Sequence, residues 1–325
     1  MATLSESDAL DVLLPVQVGR VRLRNLTLLA SGILDELGGS LVRAVRAGAG
    51  GVVTKSIGTH PRSGHPSPSF FEVESGAMNA MGLPNPGIEA YGEDMEAVVP
   101  EANALGAPVV GSVFAGTGDE FVALTQKMEE YGATAVELNL SCPHAKGYGT
   151  DIGADPKVMG PIVQACVDAV DIPVWAKLTP NVTDITPCAI AAARAGAEAL
   201  TLVNTVKAIA IDPDLRRPIL GNTIGGLSGA AIKPIGVRAA WDVWNALEKE
   251  GIHPVKNCPL VGSGGVESAR DALEYILAGA SAVQVGTAFL RQGYDVFGRI
   301  TEGVRAWLDE QPEDDLRAVV GTAHL

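Results

Sequence analysis

The 325-residue chain is poor in cysteine, in cations and in long apolar runs. Its four cysteines, Cys142, Cys166, Cys188 and Cys258, include no C-x-x-C pair, so by sequence pattern the chain builds neither a zinc ribbon nor an iron–sulfur cluster of its own. Its histidines show neither H-x-H nor H-E-x-x-H spacing, and no metal site is expected. No stretch of 18 apolar residues occurs, and the acidic start from Met1 to Asp11 lacks the basic end, apolar core and cleavage site of a signal peptide. Against 38 Asp+Glu stand only 24 Lys+Arg, a net charge of −14 that opposes binding to nucleic-acid backbones or anionic lipid. These absences predict a cytoplasmic protein with reduced thiols and no nucleic-acid or membrane partner. The acidity itself fits either a salty cytoplasm or simple solubility.

What the chain does have is apolar material, 47% of its residues, arranged in a repeating order. Short β-branched runs lie near Leu26 to Ala30, Gly51 to Thr54, Pro108 to Val113, Thr134 to Leu140, Pro173 to Leu178, Ala199 to Val203, Pro259 to Val261 and Ser281 to Val285. Each is followed by a stretch with helical spacing, near 36–47, 87–105, 118–131, 156–170, 184–195, 233–250, 267–278 and 293–308. Eight strand–helix pairs predict a (β/α)8 TIM barrel of the α/β class, a single domain over residues 1–325 with a short N-terminal segment and a C-terminal tail. Ala-Gly-Ala recurs at 47–49, 195–197 and 278–280, where a glycine in the left-handed conformation would end a helix and turn the chain into the next strand. One connection is long, Ser56 to Pro86, and rich in Pro and Gly, as functional loops on rigid scaffolds often are.

A barrel of this kind does its chemistry where the strands end at the carboxyl face. There the runs finish in Ser31-Gly32, Lys55-Ser56, Ser112, Asn139-Leu140-Ser141-Cys142, Lys177, Asn204-Thr205, Gly262-Ser263-Gly264-Gly265 and Gly286-Thr287. The two glycine turns follow the seventh and eighth strands, the usual phosphate site of the fold, where side-chain-free backbone lets N–H groups approach an anion. Plain turn chemistry is the competing reading of either cluster alone. No G-x-G-x-x-G occurs, and Val52-Val53-Thr54-Lys55-Ser56 lacks the glycine that a P-loop needs before its lysine. Lys55 and Lys177 add positive charge to the same mouth. Cys142 follows a polar strand end and precedes Pro143, which exposes the thiol and lets its thiolate act as a general base beside a carbonyl. Cys166, Cys188 and Cys258 read as structural. His60, His65 and His144 fall near the mouth, and Trp241 and Trp244 read as outer-layer packing.

The segments KSIGTHPRSGHPSP (55–68), NAMGLPNPG (79–87), ELNLSCP (137–143), VNT (203–205), GGLSGAAIKPIGVR (225–238), GSGGV (262–266) and LAGASAVQVGTA (277–288) resemble the class 1 dihydroorotate dehydrogenases, most of all the 1B branch. The resemblance runs from Leu14 to about Gly293 and implies an FMN-containing barrel. It implies that FMN is held by Ser31, Lys55, Ser56, Asn139, Lys177, Val203, Gly229, Gly264, Gly265, Gly286 and Thr287. Substrate would meet Lys55, Asn79, Ala80, Met81, Gly82, Leu83, Asn139, Asn204 and Thr205. Cys142 would remove the C5 proton of dihydroorotate as hydride leaves C6, giving orotate in pyrimidine biosynthesis. The same resemblance implies a homodimer and an electron-transfer subunit carrying FAD and an iron–sulfur cluster. One position departs from the family: His144 stands where an Asn is usual, and the resulting SCPH is similar to the dihydropyrimidine dehydrogenases, which act on uracil or thymine. Those enzymes carry a cysteine-rich extension that this chain lacks.

Overall fold

The computed structural model describes residues 14–33, 38–141 and 152–324. Its centre is a closed barrel of eight parallel strands in sequential order. The strands are β1 Thr27–Leu29, β2 Gly51–Val53, β3 Val109–Val113, β4 Ala135–Asn139, β5 Val174–Leu178, β6 Ala199–Leu202, β7 Leu260–Ser263 and β8 Ala280–Val285. Every residue of β2, β3, β5, β6, β7 and β8 is buried. That is why they read as predominantly apolar runs: helices cover the outside and side chains fill the inside. The surrounding helices are α1 Gly38–Arg46, α2 Ile88–Ala104, α3 Gly118–Glu130, α4 Pro156–Asp168, α5 Thr186–Arg194, α6 Lys233–Lys249, α7 Ala269–Leu277 and α8 Val296–Leu308. All eight strand–helix pairs stand where the sequence periodicity predicts them.

Local chemistry sets the helix ends. Thr117 and Glu120 form a reciprocal capping box at the start of α3, Asp155 caps α4 ahead of Pro156, and Ser268 accepts from the Asp271 N–H at the start of α7. In the three Ala-Gly-Ala segments, Gly48, Gly196 and Gly279 have φ of +105°, +89° and +115°, the predicted helix-ending conformation.

The barrel interior has two chemistries stacked along its axis. Val53, Val110, Ala135, Trp175, Ala199, Val261 and Ala282 form a dry cluster with Leu28 and with Val18, Val21 and Leu23. Those last three belong to an antiparallel hairpin, Val16–Val18 with Val21–Leu23, that packs into the interior from the amino-terminal end. Two residues further along the same runs stand Lys55, Ser112, Glu137, Lys177, Thr201, Ser263 and Gln284, all buried. Side chains alternate along a strand, so a step of two keeps the same inward face and turns an apolar floor into a polar ceiling.

Several features lie beyond the eight predicted units. The long connection Ser56 to Pro86 is folded: Phe70–Val73 and Gly76–Asn79 pair, and join Gly225–Ser228 and Val206–Ala208 in a four-stranded antiparallel sheet. Its strands carry Asn79, Gly225, Gly226 and Ser228 to the barrel mouth. Short helices Ala288–Gln292 and Leu316–Val319 also lie outside the eight units, as does the small antiparallel pair Ile211–Asp212 with Arg217–Pro218. Among the described residues no helix is long and apolar enough to cross a membrane.

Candidate active site

A cavity of about 950 Å³ opens at the carboxyl ends of the strands, roofed in part by the four-stranded sheet. Every residue assigned above to cofactor or substrate, apart from Cys142, lines it. Cys142 and His144 lie outside the described residues; Ser141, just before them, lines the cavity. His65 also lines it, whereas His60 is exposed and does not.

One wall is a chain of hydroxyls and amides drawn from five strand ends. Ser31 Oγ lies 3.2 Å from Ser56 Oγ, which lies 2.8 Å from Ser112 Oγ. Asn139 Nδ2 donates to Ser56 Oγ at 3.1 Å, and Asn204 Nδ2 donates to Asn139 Oδ1 at 3.2 Å. Asn204 Oδ1 in turn accepts from the Thr205 N–H at 2.8 Å. This network orients both amides before any ligand arrives, which is the preorganisation that recognition of a polar ring requires.

The opposite wall is backbone. Gly264 and Gly265 have φ of +117° and +72°, so an L side chain there is strained. A Cβ on Gly265 would also stand 2.7 Å from Lys233 Cβ and 2.8 Å from the Gly229 oxygen. Tyr275 holds this turn from behind, its buried hydroxyl donating to the carbonyls of Ser263 and Gly264 at 3.1 and 2.8 Å. Burial pushes that phenol up, so it stays a donor. Among the described residues the N–H groups of Gly265, Gly286 and Thr287 donate to no backbone carbonyl outside the strand ladders, and these residues line the cavity together with Gly264. Thr287 precedes the extra helix Ala288–Gln292, as in the phosphate sites of this fold. N–H groups exposed at these two turns, beside a cavity of this volume, fit an anionic group such as a phosphate.

The charge at the floor differs from the expectation of two lysines acting together. Lys177 Nζ lies 3.5 Å from Glu137 Oε1 and donates to Gln284 Oε1 at 2.9 Å. Glu137 is fully buried, and its Oε2 accepts from Thr201 and from Gln284 Nε2 at 2.7 and 2.6 Å. Lys177 therefore arrives with its charge already balanced. Glu137 was readable in the sequence as the residue two before Asn139, hence on the same face of β4. Arg62, Asn181, Lys207 and Ser228 also line the cavity and went unmarked, the last two being carried by strands of the unforeseen sheet. Asn181 donates to the Thr205 carbonyl at 3.0 Å and so buttresses the Asn204 corner.

The three described cysteines are free and buried. Burial pushes the thiols of Cys166 and Cys188 up to about 11 and that of Cys258 up to about 12, which makes them poor nucleophiles. Trp241 and Trp244 stack on the His324 ring, at 3.8 and 5.3 Å between centroids, on the outside of the barrel.

The sequence pattern of the family described as dihydroorotate dehydrogenase matches residues 13–308. A protein of Methanocaldococcus jannaschii named dihydroorotate dehydrogenase B (NAD(+)), catalytic subunit, is 43% identical over 97% of this chain and 99% of its own. Proteins of the same name from Pyrococcus horikoshii and Methanosarcina mazei are 48% and 45% identical, over 96% and 94% of this chain and 98% and 93% of theirs. Identity of this extent, spread over a barrel whose mouth holds the motifs, means that the chain belongs to the dihydroorotate dehydrogenase family, whose members are flavin-dependent.

Proposed function

We propose that this chain oxidises dihydroorotate to orotate in pyrimidine biosynthesis with FMN as its cofactor, as a single-domain catalytic subunit of the 1B type. The observation that carries the reading is the meeting, in one cavity, of the two glycine turns, Gly264-Gly265 and Gly286-Thr287, with the oriented amides of Asn139 and Asn204. The glycine turns would hold the FMN phosphate, with Gly229 beside them. Ser31, Lys55, Ser56, Lys177 and Val203 would flank the ring.

Substrate recognition follows from donor and acceptor types. An Asn amide offers both a donor and an acceptor, which matches the alternating N–H and C=O groups of a cyclic imide. Lys55, together with the backbone from Asn79 to Leu83, would hold the substrate carboxylate, and Thr205 closes the Asn204 side. FMN, when bound, supplies a two-electron acceptor for the hydride that leaves C6. The proton on C5 goes to Sγ of Cys142, an assignment that rests on the sequence. Loss of one hydride and one proton converts the C5–C6 single bond into the double bond of orotate, so the electrons balance.

The reduced site has to pass its electrons on. The relatives are named as catalytic subunits, which supports a partner that carries them to NAD through FAD and an iron–sulfur cluster, and a homodimer of this chain is part of the same reading. The uracil or thymine alternative rests on His144 alone, and the names of the relatives favour dihydroorotate.

A visible spectrum of the purified chain tests the proposal. A yellow protein that bleaches anaerobically with dihydroorotate, and far more slowly with dihydrouracil, is expected. A colourless chain that takes up no FMN, or one bleached preferentially by dihydrouracil, would overturn it.

A further inference from the structure

Beneath the cavity, Glu137 has a geometry that a merely structural carboxylate does not need. It is fully buried in the barrel axis and does not line the cavity, yet both of its oxygens bear on Lys177, which does. Oε1 makes no hydrogen bond and faces the ammonium at 3.5 Å. Oε2 accepts from Thr201 Oγ1 and from Gln284 Nε2.

The amide of Gln284 translates one end of this arrangement to the other. A carboxylate only accepts hydrogen bonds and an ammonium only donates them, so the Gln284 NH2 has to face Glu137 and its oxygen has to face Lys177. Any rotation of that amide would set two donors or two acceptors against each other. Glu137 thereby fixes Gln284, Gln284 fixes Lys177, and the direct 3.5 Å approach adds the countercharge. Chains of this kind in a low-dielectric interior are strong when complete and costly when one member is lost.

Resting on the FMN reading above, we infer that Glu137 is a positioning residue for flavin reduction: through Gln284 it sets the Lys177 ammonium at the cavity floor, and its negative charge limits how strongly that ammonium favours electron uptake. Reduction of FMN builds negative charge on its pyrimidine side, which a nearby cation favours and a balancing anion moderates.

The test compares wild type, Glu137→Gln, Lys177→Met and the double variant, each reconstituted with FMN. The readouts are the midpoint potential of the bound flavin, its dissociation constant, and the anaerobic rate of bleaching by dihydroorotate. Glu137→Gln should shift the potential positive and Lys177→Met should shift it negative. The half-saturating dihydroorotate concentration of Glu137→Gln should stay within about threefold of wild type, because the substrate contacts are untouched. Lys177→Met leaves a buried carboxylate without its cation, so the double variant should hold FMN at least about tenfold more tightly than Lys177→Met alone. This comparison decides the matter even where Glu137→Gln folds poorly. An unchanged or negative potential in a folded Glu137→Gln, or a double variant no better than Lys177→Met, overturns the inference while the wild type stays yellow. A wild type that retains no FMN overturns the cofactor reading, and this inference with it.

Discussion

Replacing Gly265 with alanine probes the backbone wall of the cavity directly. At φ +72° an alanine pays about 1–2 kcal/mol for the left-handed conformation. Its Cβ would stand 2.7 Å from Lys233 Cβ, 2.8 Å from the Gly229 oxygen and 3.0 Å from the Lys233 N. These neighbours are backbone atoms or a Cβ, none of which can swing away, so the turn itself has to move at an overpacking cost of about 1–3 kcal/mol. The sum, roughly 2–5 kcal/mol, corresponds at about 2 °C per kcal/mol to a melting point lower by about 4–10 °C. Displacing the turn also removes at least one N–H donor from the anion, at about 1.5–3 kcal/mol, or about 10- to 100-fold in FMN affinity. Gly286→Ala is the control: its Cβ would meet Ala30 and Ile33 at 3.5 and 3.6 Å, ordinary contact distances. That variant should melt within about 1 °C of wild type. Differential scanning calorimetry of the apo chains and fluorescence titration with FMN give both quantities. A Gly265→Ala protein that melts with wild type and binds FMN within about threefold would refute the argument that this turn demands glycine.

The other expectations follow from single contacts. Tyr275→Phe leaves the Ser263 and Gly264 carbonyls without their shared buried donor, and should lower stability by about 1–3 kcal/mol while weakening FMN binding; a melt and titration equal to wild type would show that the hydroxyl does not hold the turn. Gly298 lies within α8 with open space around its Cβ position, so Gly298→Ala should raise the melting temperature by about 2 °C, through about 1 kcal/mol of helix propensity. The three buried thiols are raised from an ordinary value near 9, so the folded chain holds their protons longer than the unfolded one. Their contribution to stability is therefore complete below pH 9 and is lost as pH climbs towards 11–12; at pH 8 a thiol reagent should modify no more than one cysteine until denaturant is added, against four afterwards. Cys142→Ala should keep its FMN and its fold but bleach with dihydroorotate at least about 100-fold more slowly, since a positioned base contributes about that much or more; turnover within a few-fold of wild type would remove Cys142 from the base role.

The parts of this molecule that were readable in advance share a physical trait: their residues are constrained over several consecutive positions. A strand sealed between helices and a packed interior, such as Val109–Val113, has no side exposed to solvent and so cannot avoid being an apolar run. The turns Gly262 to Gly265 and Gly286-Thr287 were visible because glycine there serves the backbone itself. The antiparallel sheet above the mouth leaves a weaker trace. Gly76–Asn79 and Gly225–Ser228 are four residues each, begin with glycine and show no clear polar–apolar alternation, because they pack against one another, against a cavity and against Thr205, and not across a solvated face. Period-based reading has nothing to find in such strands.

Glu137 is the more instructive omission, because its position was legible and its meaning was not. An acidic residue within the run Thr134 to Leu140 announces a buried charge, and buried charges are paired. Its partner lies on the neighbouring strand: Glu137 is in register with Trp175 and Asn139 with Lys177, so Lys177 is two residues beyond the register partner of Glu137, and its ammonium comes within 3.5 Å of the carboxylate. Gln284 reaches the same point from β8 across the barrel interior, and no linear pattern links position 137 to position 284. The layering supplies the missing rule. Once Ala135, Trp175 and Ala282 are known to share the dry floor, the residues two places on must share the layer above it, and a carboxylate, an ammonium and an amide placed there have one mutually satisfying arrangement. Closure of the barrel, more than any local motif, is what turns three distant polar residues into one site.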